Sequence, residues 1–202
     1  MKIHALVLLG LLAVCLPPYG KAQQRVAELK KCPLTVEQSP TVRGLKLGQS
    51  PSEIRTLFAV EGNEDLTRIA LDLDRRPDET GVREQLISSS MLGLRSDKLK
   101  GTRNISIRYL DERLASFQIA YDGNVKWQSS AHFAAAIAEQ LHLPTEGWQD
   151  TGVALRLTCQ GFYVETTAFA SSQLKIERTD LDAEIALRRA QLEQRKRAEF
   201  KP

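Results

Sequence analysis

Two stretches of this chain alternate between apolar and polar residues, and each resolves into paired runs. Ile105, Ile107 and Tyr109 alternate with polar neighbours, Asp111-Glu112-Arg113 interrupts, and Ala115, Phe117, Ile119 and Tyr121 alternate again. A period of two places one set of side chains on one face of a strand, so residues 104–121 read as a β-hairpin with a single apolar face. The pattern recurs where Val153, Leu155, Leu157 and Cys159 alternate. Gln160-Gly161 can turn the chain, Phe162–Thr167 returns, and Gln173–Arg178 adds a strand carrying Leu174 and Ile176. Strands that come in pairs, rather than one for one with helices, predict antiparallel pairing and an α+β class. The expectation is an antiparallel sheet of about five to seven strands built from hairpins and covered by one or two helices.

The helices have their own signatures. Ser129 or Ser130 caps an Ala-rich helix over 130–142 in which Phe133, Ile137 and Leu141 recur every fourth residue, and Pro144 stops it. That helix is expected to cover the apolar face of the sheet. Upstream, Ser50-Pro51-Ser52-Glu53 combines a capping serine, a proline at the first helical position and a glutamate three residues after the cap. Ile54, Leu57 and Phe58 share one face of the short helix that follows, which ends near Val60. Between 61 and 100 the pattern is mixed. Leu66, Ile69 and Leu73 fit a helix, Ile69, Leu71 and Leu73 fit a strand, and Val82–Ser88 reads as a further strand. From Thr179 a charged helix begins with Asp180, Asp182 and Glu184 and ends among Arg195, Lys196 and Arg197, a polarity that complements the helix macrodipole. Its apolar stripe, chiefly Leu181, Ile185 and Leu192, is narrow, so it is expected to pack weakly or to project.

The first 22 residues read as an export signal: Lys2, an apolar run from Ala5 to Leu16, Pro17-Pro18, then small residues around Gly20-Lys21-Ala22. The run falls short of the roughly 20 apolar residues a membrane span needs. Cys15 sits in a sequence like a lipoprotein processing box, but Val14 stands where Gly, Ala or Ser is usual, so lipidation is the lesser reading. The expected organisation is a signal peptide over 1–22, an extended segment over 23–39 with a helical turn at Val26–Lys31, a single α+β domain over 40–178, and a charged helix over 179–202. Cleavage leaves Cys32 and Cys159, an even pair that in an oxidising compartment predicts one disulfide. Without a CxxC motif or a histidine cluster, neither redox catalysis nor zinc is expected.

Composition excludes more than it selects. The 202 residues are 42% hydrophobic and 26% charged, with 28 Lys and Arg against 25 Asp and Glu. Loss of Lys2 and Lys21 with the leader brings that balance nearer neutral, which argues against nucleic acid as a partner. His132 and His142 lie on one helix but about 15 Å apart and roughly 80° off a common face, so they cannot share a metal. No GxSxG, SxxK, GxGxxG or GxxxxGK[ST] motif is present, and Asp72, Asp74, Asp111 and Glu112 read as turn and strand carboxylates. No cofactor is expected. The candidate contact surfaces are Trp127 and Trp148, which bracket the Ala-rich helix, and the basic residues Arg188, Arg189, Arg195, Lys196 and Arg197. Contact of that basic end with anionic lipid is weakened by the interspersed Glu193 and Glu199.

Residues 42–54, VRGLKLGQSPSEI, resemble the L-x-L-G-M-[ST]-x-x-E-[VI] opening of uncharacterised bacterial secreted proteins. More loosely, they are similar to the first helix of small envelope domains of the outer-membrane assembly lipoprotein (SmpA/OmlA) and β-lactamase-inhibitor type, with Gln49 where those usually carry Met. The resemblance implies helices packed on an antiparallel sheet and a binding rather than catalytic role; it transfers no functional residue. The resulting expectation is an exported protein, periplasmic or extracellular, acting as a non-enzymatic binding or scaffold module toward an envelope or secreted protein. The alternative is a periplasmic hydrolase whose triad forms only in the fold, through His132 or His142.

Overall fold

The computed structural model describes residues 32–72, 75–91, 94–123, 127–168 and 171–199. The expected leader over 1–22, the turn at Val26–Lys31, Leu73, Asp74 and the last residues of the chain lie outside them. A 3-10 turn at Val36–Gln38 is followed by α1 (Pro51–Phe58), α2 (Glu64–Ala70), β1 (Val82–Ser88) and α3 (Ser96–Leu99). Next come β2 (Thr102–Leu110), β3 (Arg113–Tyr121), α4 (Ser130–Gln140), β4 (Trp148–Asp150), β5 (Leu155–Thr158), β6 (Phe162–Thr167), β7 (Gln173–Arg178) and α5 (Leu181–Glu199). The class is α+β. All seven strands join one sheet in the order β1-β2-β3-β7-β6-β5-β4, and every neighbouring pair is antiparallel.

The alternation written into the strands separates two faces. On the inner face Ile105, Ile107, Phe117, Ile119, Leu174, Ile176, Val164 and Leu157 are fully buried. Ile54 and Phe58 of α1 and Phe133 and Ile137 of α4 close over them, together with Leu45 and Leu47 from the N-terminal segment, into one core. Burial at this density, roughly 1.5–3 kcal/mol per large apolar side chain, is what holds helices and sheet together. The cap of α1 is the one its sequence dictates: Ser50 Oγ accepts from the Glu53 amide at 3.3 Å, and the Glu53 carboxylate accepts from the Ser50 amide at 2.7 Å. Ser50→Ala removes half of that reciprocal pair and is expected to cost about 1 kcal/mol, read as a fall in melting temperature of roughly 2–4 °C.

Where the sequence pattern is ambiguous, the structure decides. Residues 64–70 are helical, yet the apolar residues expected to face inward do not: Leu66 is 44% and Ile69 70% exposed. The buried face of α2 is instead Thr67 and Leu71, one turn apart, and the Leu71 carbonyl accepts from the side chain of the buried Gln85. Val153 is 72% exposed and does not belong to β5. It lies in a tight turn closed by the Thr151 amide and hydroxyl on the Ala154 carbonyl, which reverses the chain from β4, a three-residue strand with no periodicity to betray it.

At the β2–β3 turn Arg108 faces Ser116 while Tyr109 faces Leu114, so Ala115 is an extra residue. It packs with Val82 and Leu110 beneath Leu181 and Ile185, the only buried side chains of α5. The charged helix therefore docks by its first turns over one corner of the outer face, and Leu187, 55% exposed, lies on its side away from that contact. Among the described residues no helix covers the rest of the outer face.

Candidate functional site

Register lines up the outer face into two rows. Glu84, Arg108, Ser116, Glu177 and Tyr163 are successive cross-strand neighbours on β1, β2, β3, β7 and β6. One step along the strands, Leu86, Ser106, Gln118, Lys175, Glu165 and Arg156 form the second row, reaching β5. Neighbouring strands lie about 4.8 Å apart, which brings opposite charges within direct reach.

Glu177 is the hub. Its side chain is 2% exposed, and it accepts from Arg108 Nη2 at 2.5 Å and Lys175 Nζ at 2.9 Å through one oxygen. The Tyr163 hydroxyl donates to the other oxygen, and Ser116 adds a further hydrogen bond. Lys175 Nζ also donates to the Tyr163 hydroxyl at 2.9 Å, and the Arg156 guanidinium stacks 4.2 Å from the centre of the Tyr163 ring. Arg156 is held in turn by Glu165 at 2.6 and 2.8 Å. Burial alone would push the Glu177 carboxyl up, but these donors outweigh it and hold it at about 2. Tyr163 moves the opposite way, raised by burial and then by the hydrogen bond its hydroxyl donates to Glu177. Neither group exchanges a proton near neutral pH, so the network presents fixed charge and donors rather than an acid–base pair.

Beside the hub the short side chains of Ser106, Ser116 and Gln118 leave a recess of about 450 Å3 between Arg108, Lys175 and Arg75. A second polar cluster, on the inner face of β1, is structural: Arg83, 6% exposed, stacks 4.6 Å from the Tyr109 ring, and the Tyr109 hydroxyl donates to Gln85 at 3.1 Å.

The residues singled out from sequence fall elsewhere. Cys32 and Cys159 form the disulfide, tying the N-terminal segment to the end of β5. Trp127 and Trp148 are half-buried and pack against the core: Trp127 lies 5.2 Å from the Phe133 ring, and the Trp148 indole donates to the Pro144 carbonyl at 3.0 Å. They belong to the helix-covered side, whereas the basic residues ride on α5 at the outer corner, so the fold does not merge the two surfaces. Arg188 is a rivet, bonded to Asp111 twice at 2.7 Å, to the Thr80 carbonyl at 3.0 Å and to Glu184 at 2.8 Å. Lys196 reaches Glu79 at 2.6 Å, while Arg189, Arg195 and Arg197 are exposed. His132 and His142 are exposed as well. The Ser129 hydroxyl caps α4 by accepting from the His132 amide at 3.2 Å, and neither imidazole lines the recess. Asp111 and Glu112 are turn residues with φ of 50° and 58°, committed to Arg188 and Arg83.

Among the described residues no group of three or more His, Cys, Asp or Glu side chains is placed to hold a metal ion, and no helix is long and apolar enough to cross a membrane. Comparison of the chain with protein-family models, with curated proteins and with solved structures finds no match.

Proposed function

We propose that this protein is a non-enzymatic binding or scaffold module of the bacterial cell envelope or secretome, and that its principal contact surface is the uncovered outer face of the sheet. The observation that carries the reading is the Glu177 hub: a buried, ionised carboxylate that preorganises two cations and a tyrosine on a face that, among the described residues, only the first turns of α5 overlie at one corner. Rigid polar groups held in place before contact reduce the entropy lost on binding, and a central ordered patch ringed by polar residues suits a recognition surface. The leader-like opening and the disulfide support an exported setting. The hydrolase alternative draws no support from the imidazoles, which are exposed on and beside α4 rather than set in a cleft.

The test is site-specific photo-cross-linking in intact cells, with the reactive group at Gln118 on the outer face or at Ala135 on the exposed side of α4. Discrete protein adducts from position 118 and none from 135 are the expected outcome. Equal labelling, or none from 118, would count against the outer face as the contact surface.

A further inference from the structure

The recess beside the hub has a charge and donor inventory that selects among ligands. Three cations, Arg75, Arg108 and Lys175, stand in its walls against a single carboxylate, Glu84, with Glu177 beneath. Counting the wall and floor groups alone, one positive charge is in excess. Two further carboxylates touch these cations from outside the walls. Asp182 bonds Arg108 at 3.2 Å and is 76% exposed; Asp72 lies 3.7 Å from Arg75 with both more than half exposed, so solvent screens each.

The donors differ in kind. Arg108 has two of its five N–H groups on Glu177 and Asp182, whereas the Arg75 guanidinium, 3.7 Å from Asp72, presents a planar pair that matches a single carboxylate. Lys175 has given two protons, to Glu177 and to Tyr163, and keeps a third; the Ser106 hydroxyl is exposed on the floor. A dianion would bring a second negative charge against Glu177, whose own charge is already matched. At the rim Leu86, 53% exposed, supplies an apolar surface. The volume of about 450 Å3 lies within the range of small-ligand sites.

We infer that this recess binds a monocarboxylate carrying a short apolar stem, the chemistry of a peptide C-terminus or of a small aliphatic acid. The carboxylate sits over Ser106 and Gln118 within reach of Lys175 and Arg75, and its stem lies against Leu86. The inference rests on the outer face being the contact surface.

Amide chemical shifts of the full mature chain are to be followed during titration with N-acetyl-Ala-Leu as the free acid, with the same peptide as its C-terminal amide, with butyrate and with inorganic phosphate. The free acid is expected to shift Ser106 and Gln118 and to bind at least tenfold more tightly than the amide. Tighter binding of the peptide acid than of butyrate identifies a chain end as the source, and the reverse identifies a small acid; either supports the site. Arg75→Gln is expected to weaken the free acid several-fold and Ser106→Trp, which fills the recess, to abolish its binding; both positions are exposed, so the fold tolerates the changes. Equal binding of acid and amide, indifference to Ser106→Trp, or preference for phosphate would overturn the site. Cross-linking at Gln118 that persists while the acid fails to bind removes this inference alone; failure of both removes the contact surface with it.

Discussion

Replacing Cys32 and Cys159 together with alanine is expected to lower the melting temperature by roughly 10–15 °C, and reduction of the unaltered protein is expected to reproduce most of that loss. The bridge spans 127 positions, from the N-terminal segment to the end of β5, and so encloses everything from α1 through β5. In the chain-entropy account a closed loop of that size costs the unfolded ensemble about 4–5 kcal/mol, a large share of the 5–15 kcal/mol that stabilises an ordinary domain. Both half-cystines are also buried in the core, at 2% and 8% exposure, so the double variant loses packing in addition. The bridge is reinforced locally: the Gln160 amide donates to the Leu34 carbonyl at 2.9 Å, and a Cβ at Gly161, where φ is 84°, would meet Val36 at 2.8 Å. Early loss of hydrogen-exchange protection at Val42 and Leu45, ahead of the sheet, is the accompanying signature. A thermal transition that stays put in the double variant would show the bridge to be dispensable.

How far the sequence alone reaches depends on the range of the interaction. Local rules located Ser50 as a cap, narrowed a second cap to Ser129 or Ser130, of which Ser129 is the one used, and placed the strands 82–88, 162–167 and 173–178 at their observed bounds and the hairpin around Asp111-Glu112. All of these follow from neighbours a few residues apart, where backbone preference and the period of burial act directly. The failures are equally physical. Leu66 and Ile69 have a helical spacing, but the face of α2 that is buried is chosen by what lies beneath it, here Gln85 and its bond to Leu71. Trp148 was visible as an aromatic, yet β4 is too short to show a period. The outer-face network was present only as the polar half of each alternation. Arg108 and Glu177 stand 69 positions apart, and they meet because β3 pairs with β7, a crossover that no local pattern announces. Once that pairing is known, the two rows follow from register, and the polar residues on β2, β3 and β7 become one site.

Glu177→Gln is the substitution expected to do the most damage outside the core, and its effect carries a pH signature that separates charge from shape. In the folded protein the carboxyl is held at about 2, against an ordinary glutamate value of 4.5. A folded value below the unfolded one means that the unfolded chain takes up the proton first on acidification. The stabilisation is therefore fully present above about pH 4.5 and is lost as pH falls toward 2, an amount of about 3 kcal/mol by linkage. The amide cannot carry the charge that Arg108 and Lys175 share, and it leaves both cations part-buried without their common partner. Breaking one side of such an arrangement costs about 3–5 kcal/mol at neutral pH. Chemical denaturation at pH 7 is expected to show that gap, and at pH 2 the gap is expected to shrink, because the unfolded chain is then fully protonated at this position and about half of the folded molecules are as well. Glu165→Gln, at a side chain that is 20% exposed and holds only Arg156, serves as the comparison and is expected to lose far less. A stability difference between Glu177→Gln and the unaltered protein that is the same at pH 2 and pH 7 would mean that the hub acts by packing, and the outer face would then lose the fixed charge on which its recognition chemistry depends.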